Sequence, residues 1–205
     1  MHRIPHHESK CHNLHGHRYR IAATCLGPLC DEGEQTGMVL DFGFLKTEMM
    51  GEIDACCDHG MMIWVDDPWI ASFLPFTSRE ASAEVMQQYR AEVRETGQKL
   101  IEGPFGKTLL LSQVPTAENL AKHWFRRLAP RVRLRSGNRA DLLSVVVWET
   151  PNCMATYHAP DLGRSRPGLS PRHSHSEKFP NEIGGIAGEG GNLGSHERST
   201  FSQRF

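Results

Sequence analysis

The run CHNLHGHRY, residues 11–19, restricts the fold and the chemistry of this chain more than any other stretch. In an extended strand, side chains alternate between two faces and recur on one face roughly every 6.5 Å, so His15 and His17 share a face while Gly16 turns away. Two imidazoles at that spacing can converge on one cation. A catalytic zinc commonly takes three protein ligands of a tetrahedral set and leaves the fourth position open. A third nitrogen is therefore expected nearby, and His2, His6, His7 and His12 are all candidates. Of the 12 histidines of the chain, six fall within residues 2–17, a crowding that is the mark a metal site leaves.

Composition narrows the class further. A chain of 205 residues is expected to form one domain, with or without appendages. Its formal net charge of -1 supplies no global basic field for nucleic acid or an anionic membrane surface. No apolar run approaches the ~20 residues of a membrane span. The six cysteines, Cys11, Cys25, Cys30, Cys56, Cys57 and Cys153, include no CxxC pair, and the opening residues carry no basic-then-apolar leader. Reduced thiols and a cytoplasmic location are the expectation.

Taken in order, residues 1–13 read as a polar, His-rich loop feeding a strand from Leu14 to Gly27, with His15, His17, Tyr19 and Ile21 on one face. A polar turn then leads to MVLDF, residues 38–42, expected as a second strand. Residues 43–57 place Leu45, Met49, Ile53 and Cys56 in a helical stripe despite Gly51. An insertion within residues 66–111 holds a surface helix over residues 80–99, and a strand is expected at Thr108–Ser112. Thr116 reads as the N-cap of a helix through Leu128 that buries Leu120, Trp124, Phe125 and Leu128. A basic turn, RVRLRSGNR, precedes two strands, LLSVVVWET and CMATYH, joined at Pro151 and Asn152. Residues 159–205 are rich in Gly, Pro and Ser with hardly any apolar periodicity, and read as a disordered tail.

Outside the histidines, two features bear chemistry. Cys11 has an ordinary thiol pKa near 8.5 unless a cation lowers it, and Asp58-His59 offers a carboxylate that could orient an imidazole. Taken alone, each has a plainer reading: Cys11 as a small buried hydrophobe, His59 as a base at a helix C-terminus. Thr116 and Glu118 read as a cap and a first-turn acid. Glu149 ends an apolar strand and is either its exposed end or a carboxylate at a pocket rim, able to accept two N–H donors.

The runs HRIPHHESKCHNLHGHRY, GMVLDFGFLK, DHGMMI, VPTAENLA and VVVWETPNCMATY resemble, in order and spacing, the 6-pyruvoyltetrahydropterin synthase and 6-carboxytetrahydropterin synthase family over residues 2 to about 158. The resemblance implies an α+β tunnelling fold: a four-stranded antiparallel sheet with two helices on one face, three copies closing a barrel and two trimers stacking into a homohexamer. It implies a Zn2+ ion held by His2, His15 and His17, with Cys11, Asp58 and His59 as catalytic groups. It also implies Glu149 as the pterin anchor, with Thr116 and Glu118 near the ring-binding wall. The fold of the family also carries a strand before the first zinc histidine; with His2 directly after Met1, that first strand is expected to be truncated.

Three residues separate Cys11 from His15, the spacing of the carboxytetrahydropterin branch. The implied reaction converts 7,8-dihydroneopterin triphosphate to 6-carboxy-5,6,7,8-tetrahydropterin, releasing acetaldehyde and triphosphate, on the way to queuosine and other 7-deazaguanines. The pyruvoyl-forming branch is the alternative within the family. Beyond it stand a zinc hydrolase with Glu149 as base, and a pterin- or zinc-binding relic without catalysis.

Overall fold

The alternation that starts at His15 survives in three dimensions: His15, His17 and Tyr19 are half-buried, while Gly16, Arg18 and Arg20 are exposed. In the computed structural model, which describes residues 1–74, 79–160 and 199–204, the hydrogen-bonded ladder begins only at Arg20 and forms β1, Arg20–Gly27. Residues 14–19 are extended ahead of it, joined to the start of the chain by an antiparallel bridge between His2 and His15. The expected strand is thus shorter as a ladder than as a pattern.

Strands β5 (Asp141–Thr150) and β6 (Cys153–His158) form the expected hairpin, and β5 pairs with β1. The sheet order is β6-β5-β1-β7, all antiparallel, where β7 is Ser199–Arg204 paired with Ala22–Gly27. The fourth strand comes from residues 199–204, so this part of the supposed tail is not structureless; residues 161–198 and 205 lie outside the described residues. Residues 38–42 form no strand. Asp41 accepts a hydrogen bond from the Phe44 N–H at 2.9 Å and caps α1, Phe42–Met49, and this capping preference overrides the β-forming side chains of Val39 and Leu40, which are buried as coil.

Helix α1 runs on through a π-helical turn, Met50–Asp54, into α2, Ala55–Cys57, covering the expected helical stretch. Helix α4, Ala117–Arg135, is capped by Thr116, whose Oγ1 accepts from the Asn119 N–H. It continues past Leu128 and through Pro130, where the sequence predicts a basic turn. The reason is Val132: it extends the buried stripe of Leu120, Trp124 and Leu128 by one more helical step, and its burial offsets the hydrogen bond that Pro130 cannot donate. Helices α1 and α4 pack on the four-stranded sheet, and Leu45, Met49, Trp124 and Leu128 meet Ile21, Ala23, Val145 and Val147 in the main core.

The insertion is more than a surface helix. Strands β2 (Met61–Trp64), β3 (Gln98–Gly103) and β4 (Gly106–Leu111) make a second sheet, with β2 parallel and β3 antiparallel to the central β4. Helix α3, Arg79–Thr96, buries Met86 and Val93 against Ile63, Val65, Phe73 and Leu110. Along β4, Leu109 and Leu111 belong to the main core and Leu110 to this second one, so alternation of one strand serves both.

Candidate metal centre

The bridge between His2 and His15 is a reciprocal pair: the His2 N–H donates to the His15 carbonyl at 2.8 Å and the His15 N–H to the His2 carbonyl at 3.0 Å. Directly paired residues put their side chains on the same face. With His17 two positions along, three rings gather, with centroids 4.5 Å apart for His2 and His15, 5.1 Å for His2 and His17, and 4.8 Å for His15 and His17. One nitrogen from each lies within 4.8 Å of the others. His6, His7 and His12 stand elsewhere: His6 packs against Trp64, His7 bonds Ser9 and His12 bonds the Ser9 carbonyl. Of the four histidines that the sequence offers as a third partner, His2 is the one that joins His15 and His17 among the described residues.

The hydrogen bonds set the tautomers. A carbonyl oxygen only accepts, so Nδ1–H of His2 donates to Pro115 O at 2.8 Å and Nδ1–H of His15 to Asn13 O at 2.8 Å. In the neutral form each of these two rings presents a bare Nε2 lone pair, the arrangement in which metal-ligating histidines are held by their other nitrogen. Nε2 of His2 is buried and has no partner. Burial pushes the His2 pKa down to about 4, with the adjacent His15 and His17 adding to it against the opposing Pro115 carbonyl, so the ring is neutral at pH 7. A tetrahedral zinc at roughly 2.0 Å from each nitrogen needs donors about 3.4 Å apart. The nitrogens already lie within 4.8 Å of one another, and an ion there would satisfy the orphaned Nε2. The residues therefore fit a zinc ion.

Tyr19 flanks this centre, its ring 5.9 Å from His2 and 5.8 Å from His17. Its hydroxyl donates to Glu149 Oε1 over a long 3.5 Å. Burial, followed by the Glu149 carboxylate, pushes the phenol well above its usual range, so Tyr19 remains a donor. Strand alternation had placed Tyr19 on the histidine face; its pairing with Glu149, 130 residues away, had no local signal.

The other expected site residues are distributed around the centre. Cys11 sits half-buried in a short 3-10 turn, Lys10–His12, as a free thiol. Cys57, by contrast, has its thiol pushed up to about 12, chiefly by burial, and is inert as a base. His59 adopts a left-handed backbone (φ 52°) beyond α2, an uncommon conformation for a side-chain-bearing residue. Its Nε2 lies 3.7 Å from Asp58 Oδ2, with side chains 95% and 60% exposed respectively. Among the described residues, no hydrogen bond or ion pair joins Cys11 to Asp58 or His59. Thr116 spends its side chain on the helix cap and Glu118 is exposed in the first turn of α4, while Pro115, just before the cap, carries the carbonyl that holds His2.

Fold and site together define a class: a small α+β domain with a three-histidine centre at the mouth of its central antiparallel strand. The family profile described as 6-pyruvoyl tetrahydropterin synthase matches residues 1–160, and the chain belongs to that family. A 6-carboxy-5,6,7,8-tetrahydropterin synthase of Rickettsia bellii is 31% identical over 152 residues, 74% of this chain and 88% of that protein. The enzyme of the same name from Haemophilus influenzae is 26% identical over 156 residues, 76% and 89% of the two chains. In structure, an uncharacterised protein of Wolinella succinogenes superposes with a TM-score of 0.53 at 21% identity, covering 77% of this chain and 91% of that one. The fold is the tunnelling fold.

Proposed function

We propose that the chain is a zinc-dependent 6-carboxy-5,6,7,8-tetrahydropterin synthase. The observation that carries the proposal is the buried, neutral and unpartnered Nε2 of His2 facing His15 and His17. The names of the relatives and the three-residue spacer between Cys11 and His15 favour the carboxy branch over the pyruvoyl one. The reaction takes 7,8-dihydroneopterin triphosphate and one water to 6-carboxy-5,6,7,8-tetrahydropterin, acetaldehyde and triphosphate, a lyase step that feeds queuosine synthesis.

In this reading His2, His15 and His17 hold the zinc, which supplies Lewis-acid charge to the hydroxyls of the substrate side chain. Cys11 is the group that moves a proton at the carbon beside the ring. His59, oriented by Asp58, is the second acid-base group. Glu149 accepts the amino and ring N–H groups of the pterin, as a carboxylate does for a guanidine-like edge, and Tyr19 restrains that carboxylate. Thr116 and Glu118 stand at the wall of the ring site. The assembly in this reading is a homo-oligomer, a dimer of trimers, with Asp58 and His59 left exposed in the single chain for a neighbouring copy to cover. The partners in this reading are the small-molecule pterin triphosphate and further copies of the chain, and among the described residues no helix is long and apolar enough to cross a membrane.

The assay is incubation of zinc-loaded protein with dihydroneopterin triphosphate. Acetaldehyde and the 6-carboxy product are expected in equal amounts; a pyruvoyl product would move the chain to the other branch, and binding without turnover would overturn the enzymatic reading. Cys11→Ala should lower turnover by about a hundredfold or more while one zinc per chain stays bound. Unchanged turnover in that variant would refute the role of the thiol.

A further inference from the structure

Arg3 follows His2 in extended chain, so its side chain leaves the backbone on the face opposite the imidazole. There it enters the interior: Arg3 is 4% and Asp67 2% exposed. Three contacts hold the guanidinium. Nη1 donates to Asp67 Oδ1 at 2.8 Å, Nε donates to the His12 carbonyl at 2.9 Å, and the group lies 3.6 Å from the centroid of the Trp69 ring. Asp67 is itself fixed, because the same Oδ1 accepts from the Trp69 N–H at 2.7 Å. Across the loop the Ile4 N–H donates to the Cys11 carbonyl at 2.9 Å. The side chain therefore ties together the residue after His2, the residue after Cys11 and the segment that follows β2.

This pair is a poor device for stability alone. Two charges are taken out of water, which costs heavily unless every polar atom is answered, and Asp67 Oδ2 is buried without a partner. What the arrangement delivers is geometry. We propose that Arg3, Asp67 and Trp69 form a clip that sets His2 and the Cys11 loop against His15 and His17, so that the insertion at 66–111 tunes the metal centre. The effect on zinc rests on the metal reading of the three imidazoles.

The test compares the full-length protein with Arg3→Lys, which keeps the charge but loses the planar stack and the Nε donor, and with Trp69→Leu, which removes the stacking face from a half-exposed position. Thermal melts establish that each variant is folded. Zinc titration should then show Kd weakened about tenfold to a hundredfold in Arg3→Lys, and in the same direction but less in Trp69→Leu. The Ile4 amide should exchange faster in both variants with zinc absent. Folded variants that bind zinc as the parent does and protect Ile4 equally would overturn the clip. His15→Ala separates the two ideas: if it takes up as much zinc as the parent, the metal reading fails, while Ile4 exchange in the metal-free protein still decides the clip. A purely structural role would lower the melting temperature and leave the zinc affinity of the folded fraction unchanged.

Discussion

His123 shows how far a single ring can be moved from its solution chemistry. It is half-buried on α4 with Nε2–H donating to Gln98 Oε1 at 2.7 Å, and burial, then the Arg127 charge, push its pKa down to about 4 against the opposing pull of Glu52. The folded value lies below the ordinary 6.5, so the unfolded chain takes up the proton first as pH falls. Its contribution is fully present above pH 6.5 and is lost between 6.5 and 4, at up to about 1.4 kcal/mol per pH unit. Urea midpoints at pH 7, 5.5 and 4.5 should fall accordingly, and His123→Gln should remove part of the slope; His2, depressed in the same way, keeps the remainder in metal-free protein. An unchanged slope in the variant would assign the acid sensitivity elsewhere. At this scale the sequence made His15, His17 and Tyr19 legible, because they obey a period of two within five residues. The Pro115 carbonyl that orients His2 and the carboxylate of Asp67 beneath Arg3 lie 113 and 64 residues from their partners, and no local pattern encodes such distances.

Elements were legible where one propensity acted alone. Thr116 followed by the stripe Leu120, Trp124 and Leu128 reads as a capped amphipathic helix and folds as one. Thr116→Ala should cost about 1 kcal/mol in a denaturant titration, by freeing the Asn119 N–H from its acceptor; a loss below ~0.3 kcal/mol would mean water replaces the cap. Where two signals competed, the reading went astray. Val39 and Leu40 favour a strand, yet Asp41, directly before the helix and four residues before Leu45 opens its stripe, ends the strand before it starts. Pro130 argues for a helix end, yet Val132, two residues on and one turn beyond Leu128, is fully buried and keeps the helix going. Strand β3 was hidden because its burial is only partial, so its first two residues read as the end of the surface helix, and its place is secured by pairing with β4.

At the scale of the whole molecule, two cores share one strand and the four-stranded sheet closes on residues far apart in the chain. Pairing with β7 accounts for one edge of β1 and pairing with β5 for the other. A chain ending after Pro160 should therefore lose exchange protection at alternate amides of Ala22–Gly27 while those paired with β5 keep theirs. Equal protection in both chains would show that something other than residues 199–204 covers that edge. Such a partner, 172 to 182 positions downstream, leaves no trace in local periodicity.

That pairing also has a bearing on biosynthesis. A ribosome that has emitted residue 27 must add about 180 more before Arg204 exists, which at roughly 5–20 residues per second takes on the order of ten to forty seconds. Throughout that interval one flank of the nascent central strand has no mate of its own, and polysomes place other growing chains within reach of it.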